Sequence, residues 1–240
     1  SRRALCSAQM SANVQLVFGN DAYAVKTKSR ETIDALLKPE DQALGLEIVE
    51  GGVDTVAEAV QVVERCVEAL CTVGFMGADK VVWLRSASFL SDTVVGRSET
   101  VKEALLQLTG MIKAGLPEGV YLVVSAEKVD KRFAFYTACR KAGSVHEFSV
   151  PDRPRDAEKY ASDFLKTRLG EAGLTMSADV SRLFVDRIGT DPGHLAGEVE
   201  KLALFLGERK KVTADDVLKV TCASREALMW DLSDAFGDRN

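Results

Sequence analysis

The sequence has few of the residues that most often carry catalysis and metal binding. It contains two histidines in 240 residues, and its five cysteines are scattered without a CxxC pair. A disulfide framework or a structural zinc site needs paired cysteine spacing, so we expect reduced and mostly buried thiols. No nucleophile has a supporting base, and His146 and Glu147 are predicted on a buried strand rather than in a cleft. The sequence therefore predicts no catalytic residues and no metal site.

Long apolar runs and an excess of positive charge are also missing. The longest apolar runs, such as Val120–Val124, are far shorter than the about 18–20 residues that a membrane-spanning helix needs. Residues 1–12 are interpreted as an N-terminal tail, because the chain begins without the apolar core of a signal peptide. The net charge is −5, so any DNA contact needs a local basic patch or a partner. We expect a cytoplasmic protein without membrane association.

Short β-branched runs alternate with helical patterns over residues 13–150. The predicted strands are Val14–Phe18, Leu46–Val49, Lys80–Arg85, Val120–Ser125 and Val145–Val150. The predicted helices are Ala22–Leu37, one capped by Asp54 or Thr55, Ser98–Ala114 and Lys131–Ala142. Strands that alternate with helices imply crossover connections, and therefore an α/β domain with a mostly parallel sheet of about five strands and flanking helices.

The pattern changes at residues 150–154, where two prolines within four residues end the alternation. Everything that follows is predicted to be helical, and residues 151–222 are interpreted as a small all-α lid domain. The predicted lid helices are Arg155–Ala172, Ala178–Ile188, Gly193–Phe205 and Ala214–Val220, with Ser177, Asp191 and Thr213 as caps of the last three. Residues 223–240 begin a further helical segment, which we expect to belong to a truncated third domain.

The loop after the first strand is where a protein of this architecture would hold a phosphate group, because backbone N–H groups and a helix N-terminus meet there. A P-loop has the pattern GxxxxGK[ST]. Gly19 and Lys26-Thr27 match part of this pattern. Val25 replaces the second glycine, and Asp21 would repel phosphate. We therefore expect a simple strand-to-helix turn, with Asn20 or Asp21 as the helix N-cap.

Two further positions argue against ATP binding. The third strand runs into Arg85-Ser86-Ala87 without the carboxylate of a Walker B strand. Gly193 stands at the start of a lid helix, where nucleotide-sensing proteins of this architecture carry arginine. We therefore expect no nucleotide cofactor, and an ATP-binding AAA+ NTPase with a degenerate phosphate loop is the alternative.

Five segments form an ordered set across essentially the whole chain. They are LVFGNDAYAV (Leu16–Val25), GFMGADKVVWLR (Gly74–Arg85), LPEGVYLVVSAEKVDKRFAFYTACRKAGSVHEF (Leu116–Phe148), GTDPGHLAGEVEKLALF (Gly189–Phe205) and LMWDLSDAFGDRN (Leu228–Asn240). This set resembles the delta subunits of bacterial DNA polymerase III clamp loaders, which belong to the AAA+ superfamily. The resemblance implies an AAA+-like fold and a truncated C-terminal collar domain at residues 223–240.

The same resemblance implies a subunit that binds and opens the ring-shaped, beta-type sliding clamp during DNA replication without hydrolysing ATP. It implies other clamp-loader AAA+ subunits as partners, DNA contacted through the assembled complex, and a place in the bacterial, nucleoid-associated replisome. The holoenzyme is a DNA-directed DNA polymerase, a nucleotidyltransferase, but this chain is expected to be non-catalytic and monomeric by itself. A general protein-assembly scaffold is a further alternative.

Phe75 and Met76 are two adjacent large apolar residues between Gly74 and Gly77. The apolar stripe of the preceding helix ends before them, and its predicted positions are Val56, Val60, Val63, Val67 and Leu70. Flanking glycines favour a helix end and a turn, and an exposed apolar pair can fill a hydrophobic pocket of a partner. Spacing alone favours packing over the sheet edge, whereas the resemblance makes these four residues the clamp-binding wedge.

Charge is unevenly distributed along the chain. Residues 40–79 contain nine acids and a single base, which would discourage DNA and steer a basic rim of a protein partner. Residues 128–141 contain five cations and one acid; the cations are Lys128, Lys131, Arg132, Arg140 and Lys141. This basic helix can contact DNA phosphates or a neighbouring subunit. A solvated helix face is the simpler interpretation, with Phe133, Phe135 and Tyr136 in the core.

Overall fold

A computed structural model describes residues 13–74 and 77–221. Contacts divide these residues into two compact units, one that ends at Ser149 and one that begins at Val150. The first unit is α/β and the second is helical. The predicted tail at residues 1–12 and the predicted collar segment at residues 223–240 lie outside the described residues.

Five parallel strands form the sheet of the first unit, in the order β2-β3-β4-β1-β5. They are β1 (Val14–Phe18), β2 (Leu46–Glu50), β3 (Lys80–Arg85), β4 (Val120–Ala126) and β5 (Ser144–Glu147). β1 lies inside the sheet between β4 and β5, and all five of its residues are buried. The predicted α/β fold with a parallel five-stranded sheet is confirmed.

Helices cover both faces of this sheet. They are α1 (Ala22–Leu36), the four-residue α2 (Gln42–Gly45), α3 (Val56–Cys71), α4 (Glu99–Ala114) and α5 (Ala134–Ala142). α1 covers one face, where Ile33 is buried with Val81 and Trp83. α3, α4 and α5 pack on the other face, over a larger core that includes Val82 and Leu84. Because alternate residues of β3 enter two cores, the whole strand reads as apolar.

The buried face of α3 differs from the predicted stripe. Thr55 caps the helix as predicted and forms a capping box with Glu58. Of the five predicted stripe positions, Val63 and Leu70 are buried, whereas Val56, Val60 and Val67 are only partly buried. The remaining buried positions are Ala59, Val62, Cys66 and Ala69. The buried face of α3 is therefore centred partly on small side chains. A stripe predicted from the large apolar residues alone does not include these positions.

Two elements of the first unit are shorter than predicted. β5 ends at Glu147 and is a half-exposed edge strand, so His146 and Glu147 do not lie on a buried strand. α5 begins at Ala134 rather than Lys131, because Asp130 holds the preceding turn. The Asp130 carboxylate accepts a hydrogen bond from the backbone N–H of Arg132 at 2.9 Å, and its carbonyl accepts one from Phe133 at 3.0 Å.

Four helices make up the described part of the second unit. They are α6 (Pro154–Glu171), α7 (Ala178–Ile188), α8 (Pro192–Leu206) and α9 (Ala214–Val220). The predicted caps are confirmed, since the side chains of Ser177, Asp191 and Thr213 each accept a backbone hydrogen bond from the first turn of their helix. The inward face of α8 is buried among the other three helices through Leu195, Val199, Leu202 and Leu206.

The cysteines of the described residues are unpaired thiols. Cys66 and Cys139 are buried, and burial raises the pKa of each to about 12. Cys71 is exposed, so two of the three described thiols are buried, in agreement with the expectation of mostly buried thiols. Across residues 13–74 and 77–221, no group of three or more histidine, cysteine or acidic side chains is arranged to hold a metal ion. In the same residues, no helix has the length and apolarity to span a membrane.

Candidate functional site

The loop after β1 has three residues, and the backbone N–H groups of Gly19 and Asp21 donate hydrogen bonds within the protein. The N–H of Gly19 donates to the carbonyl of Ala126 at 3.2 Å, and that of Asp21 donates to the carbonyl of Phe148 at 3.3 Å. The carboxylate of Asp21 caps α1 by accepting a hydrogen bond from the N–H of Ala24 at 2.8 Å. A phosphate-binding loop works through N–H groups that point at the ligand, and the N–H groups of Gly19, Asp21 and Ala24 are instead directed at oxygens of the protein.

Gly19 allows two segments of the chain to approach each other closely. Its φ is +146°, and a Cβ at this position would lie 1.6 Å from the carbonyl oxygen of Phe148. The glycine therefore brings the end of β1 against the residue that follows β5. In a P-loop, the corresponding glycine would leave room for phosphate oxygens.

A crevice of about 760 Å³ opens at the carboxyl ends of β1, β3 and β4. Several of its polar groups are hydrogen-bonded within the protein. Arg85 donates from Nε to the Oε2 atom of Glu50 at 3.0 Å, and its guanidinium lies 5.4 Å from the centre of the Trp83 ring. Ser125 Oγ accepts hydrogen bonds from Trp83 Nε1 at 3.1 Å and from the N–H of Ser86 at 3.2 Å. The end of β3 thus presents a guanidinium where a magnesium-binding strand presents a carboxylate.

The five predicted cations do not form one patch on a helix face. Lys128, Lys131 and Arg132 lie in the loop before α5, whereas Arg140 and Lys141 lie in its last turn. The helix has nine residues and is about 13 Å long, and the second group lies at the end that is farther from the loop. Phe135 is buried and the neighbouring Phe133 and Tyr136 pack against the same core, which confirms the core interpretation of these three rings.

Two of the five cations are paired with acids. Lys131 Nζ donates to Glu147 Oε2 at 2.7 Å, and the guanidinium of Arg132 contacts the carboxylates of Asp130 at 2.6 Å and Asp92 at 3.2 Å. The hydrogen bond from Arg132 holds the pKa of Asp130 below its usual value. Among the residues that the structure describes, none forms an ion pair with Lys128, Arg140 or Lys141. Charge counted along the sequence therefore overstates the available basic surface.

The connection from α3 to β3 lies at the amino-terminal ends of the strands, whereas the crevice lies at their carboxyl ends. Gly74 is buried, and a Cβ there would lie 2.0 Å from the carbonyl oxygen of Ala78. Gly77 has a φ of +80°, which favours glycine, and its N–H donates to the carbonyl of Gly74 at 3.2 Å. Phe75 and Met76 lie between them, outside the described residues. The preceding Val73 is 67% exposed.

Lys80, the first residue of β3, is a buried cation that the sequence analysis did not single out. The residue is only 8% exposed. Its Nζ donates to the carbonyl of Ala69 at 2.7 Å and to Thr72 Oγ1 at 2.5 Å, and it forms an ion pair with Glu47 Oε2 at 2.9 Å. The available signal was a lysine at the start of the otherwise buried strand KVVWLR, because a buried charge requires partners.

A sequence profile described as "DNA polymerase III, delta subunit" matches residues 16–148, which is more than half of the chain. The chain belongs to this delta-subunit family. The matched range includes both the turn after β1 and the connection that carries Gly74 and Gly77. The resemblance drawn from the five sequence segments is thereby confirmed.

A curated relative of this delta-family chain is the DNA polymerase III subunit delta of Bacillus subtilis (strain 168). The two sequences are 23% identical over 223 residues, which are 91% of this chain and 59% of the relative. The chain therefore spans about three fifths of the length of that relative.

Solved structures share the fold of the delta-family chain. The Bacillus subtilis DNA clamp loader delta protein (YqeN) aligns with a TM-score of 0.64 at 20% identity, covering 96% of this chain and 64% of that one. A chain in the Escherichia coli MS115-1 HORMA:CdnC:Trip13 complex aligns with a TM-score of 0.53 at 16% identity, covering 91% of this chain and 77% of the other. At these identities the alignments support the fold and do not transfer site residues.

Proposed function

We propose that this chain is the clamp-loader subunit that binds and opens the sliding clamp, and that Phe75 and Met76 are its apolar anchor. The observation that carries the proposal is the geometry of the connection between α3 and β3. Gly74 and Gly77 make a tight turn, and the neighbouring Val73 is exposed. A pair of large apolar residues on such a turn suits a hydrophobic pocket on a partner. Membership of the delta-subunit family supports the same partner.

The proposed mechanism is differential binding. A subunit that contacts the open ring more tightly than the closed ring shifts the clamp population toward the open form, and it needs no chemistry of its own. The shift equals the ratio of the two affinities, so a hundredfold preference shifts the open-to-closed ratio by a hundredfold. In this proposal, ATP hydrolysis belongs to similar subunits with intact nucleotide sites.

The engaged donors of Gly19 and Asp21 support a non-catalytic role in preference to an NTPase with a degenerate loop. The acidic stretch at residues 40–79 supports contact of these residues with a protein partner rather than with DNA. Further partners in the proposal are neighbouring clamp-loader subunits, with DNA reached through the assembled complex. A general assembly scaffold would have no preference for a sliding clamp, and direct binding separates the two functions.

The test replaces Phe75 and Met76 with alanine and measures binding of the full 240-residue chain to the sliding clamp of the same organism by calorimetry, with and without ATP. Each large buried side chain contributes about 1.5–3 kcal/mol in transfer terms, so the double variant should bind at least about a hundredfold more weakly. Its melting temperature should stay close to that of the parent chain, because the anchor is proposed to be exposed in the free subunit.

Leu204 and Phe205 provide a matched control, since they are also adjacent and are 84% and 52% exposed. The Leu204→Ala/Phe205→Ala variant should bind the clamp like the parent chain. An F75A/M76A variant that keeps both its fold and its clamp affinity contradicts the proposal. A variant that melts several degrees earlier indicates that the two side chains pack in the core instead.

A further inference from the structure

We infer that Lys80 is a positioning residue that holds the anchor-bearing segment, residues 72–79, in its binding geometry. The inference rests on the function proposed for that segment. A lysine ammonium group has three N–H donors and no acceptor. The Nζ atom of Lys80 faces three oxygens, those of Ala69, Thr72 and Glu47, which lie in or directly after α3 and in β2. One buried cation therefore joins the end of α3, the edge strand β2 and the start of β3.

These contacts stabilise the helix end from which the segment begins. Ala69 belongs to the last turn of α3, where carbonyl groups lack helical partners and a cation is favourable. Thr72 is the C-cap, and its hydroxyl also donates to the carbonyl of Ala69 at 3.0 Å. Lys80 and Thr72 thus converge on the carbonyl oxygen of Ala69, at the helix end from which the segment leaves α3.

The other end of the segment is held by close backbone packing. A Cβ on Gly45 would lie 2.8 Å from the carbonyl oxygen of Asp79, and a Cβ on Gly119 would lie 3.1 Å from the Asp79 carboxylate. Lys80 follows directly and donates its backbone N–H to the carbonyl of Gly119 at 2.7 Å. Both ends of an eight-residue connection are therefore attached to the sheet and its neighbouring loops. Binding of a partner to the segment costs less ordering entropy when the two ends of the segment are already held.

The test compares the full chain with its Lys80→Met variant, which keeps an unbranched apolar stem of similar length and removes the ammonium group. Hydrogen exchange of the free chain should accelerate at the amides of residues 72–79 and stay unchanged in β1 and β4. Affinity for the sliding clamp should fall by at least about tenfold, because freed backbone must be ordered again on binding. Lys131→Met is the control, since it removes an ion pair at the opposite edge of the sheet.

A double-mutant cycle distinguishes positioning from a general effect on stability. In the F75A/M76A background, Lys80→Met should weaken clamp binding by less than about twofold, because the anchor that Lys80 positions is gone. An equal loss in both backgrounds overturns the inference. If Lys80→Met does not fold, Thr72→Val removes one acceptor and should give the same pattern with a smaller change.

Hydrogen exchange needs no clamp, so the two proposals can fail separately. Unchanged clamp affinity in F75A/M76A refutes the proposed function, whereas unchanged exchange at residues 72–79 in Lys80→Met refutes the positioning role.

Discussion

The ammonium group of Lys131 donates a hydrogen bond to the carboxylate of Glu147 at 2.7 Å and thereby joins the loop after β4 to the edge strand β5. The two residues are 16 positions apart in the sequence. Arg132 likewise contacts Asp92, 40 positions away. Both cations belong to a stretch that looks strongly basic when charges are counted along the chain. Ion pairs with acids from other parts of the sequence reduce the excess of positive charge.

These ion pairs predict unequal effects of the five cations on DNA binding by an assembled clamp loader. Alanine at Lys131 and Arg132 should change the affinity by less than about twofold, because their charges are already neutralised locally. Alanine at Lys128, Arg140 and Lys141 should weaken binding more and reduce the salt dependence, since each phosphate contact contributes about 0.9 to the logarithmic slope. Fluorescence anisotropy over a salt series measures both quantities. Equal weakening by the two variants contradicts this prediction, whereas unchanged binding in both indicates that the five residues form a solvated face or a subunit contact.

ATP should not bind measurably to this chain. The N–H groups of Gly19 and Asp21 are engaged, Val25 occupies the position of the loop glycine, and Gly193 replaces a lid arginine. A fluorescent-nucleotide titration with magnesium measures the affinity, with an intact P-loop subunit as the positive control. Micromolar binding would favour the NTPase interpretation over a non-catalytic subunit.

The buried face of α3 predicts that alanine substitutions at two valines of this helix lower the free energy of unfolding by different amounts. Val63→Ala should lower the free energy of unfolding by about 2 kcal/mol, because two buried methyl groups are lost and a cavity forms. Val60→Ala, which removes the same atoms from a partly buried position, should cost less than half as much. Urea unfolding of both variants checks the difference. Equal costs would support the stripe predicted from the sequence.

Asp216 should make the stability of the second unit sensitive to acid. Its carboxylate accepts hydrogen bonds from Arg209 at 2.8 and 3.1 Å, and from the N–H and hydroxyl of Thr213 at 3.0 and 2.7 Å. The bonds from Arg209, followed by those from Thr213, hold the pKa of Asp216 well below its usual range. The unfolded chain therefore binds this proton more readily, so the stabilisation is complete above about pH 4 and is lost as pH falls through the folded pKa.

Asp216→Asn should accordingly be less stable than the parent chain at pH 7 and should lose less stability between pH 5 and pH 2. Thermal unfolding of the chain over this pH range gives the comparison. Asp215→Asn is the control, because Asp215 is exposed on the same helix and forms an ion pair with Lys219 across one helical turn. A parent-like pH dependence in Asp216→Asn would exclude Asp216 as the acid-sensitive group.

Local sequence patterns predicted most of the fold. The strands β1 to β4 and the four helices of the second unit lie within two residues of their predicted ends. Ser177 is a cap as predicted, and Asp21 and Thr55 are the caps among the two candidates predicted for each helix. The errors have one local and one tertiary cause. A local turn held by Asp130 delays the start of α5, whereas β5 is half-exposed because it is an edge strand of the sheet.

The candidate site also contains residues that the sequence predicted and a residue that it did not. Gly74 and Gly77 were recognised from the sequence, because flanking glycines around a large apolar pair form a local signal. Lys80 was not recognised, because its partners Ala69 and Glu47 lie 11 and 33 positions earlier and only become neighbours in the folded sheet.

By itself, the sequence determined the alternation of strands and helices, the helix caps and the lack of a phosphate-binding pattern. Each of these depends on residues within a few positions of one another, so hydrophobic period and side-chain chemistry are sufficient. Only the tertiary structure decided which charges are neutralised, which face of α3 is buried and how both ends of the anchor-bearing segment are held. Those features depend on the strand order β2-β3-β4-β1-β5, which makes residues that are distant in the sequence into neighbours.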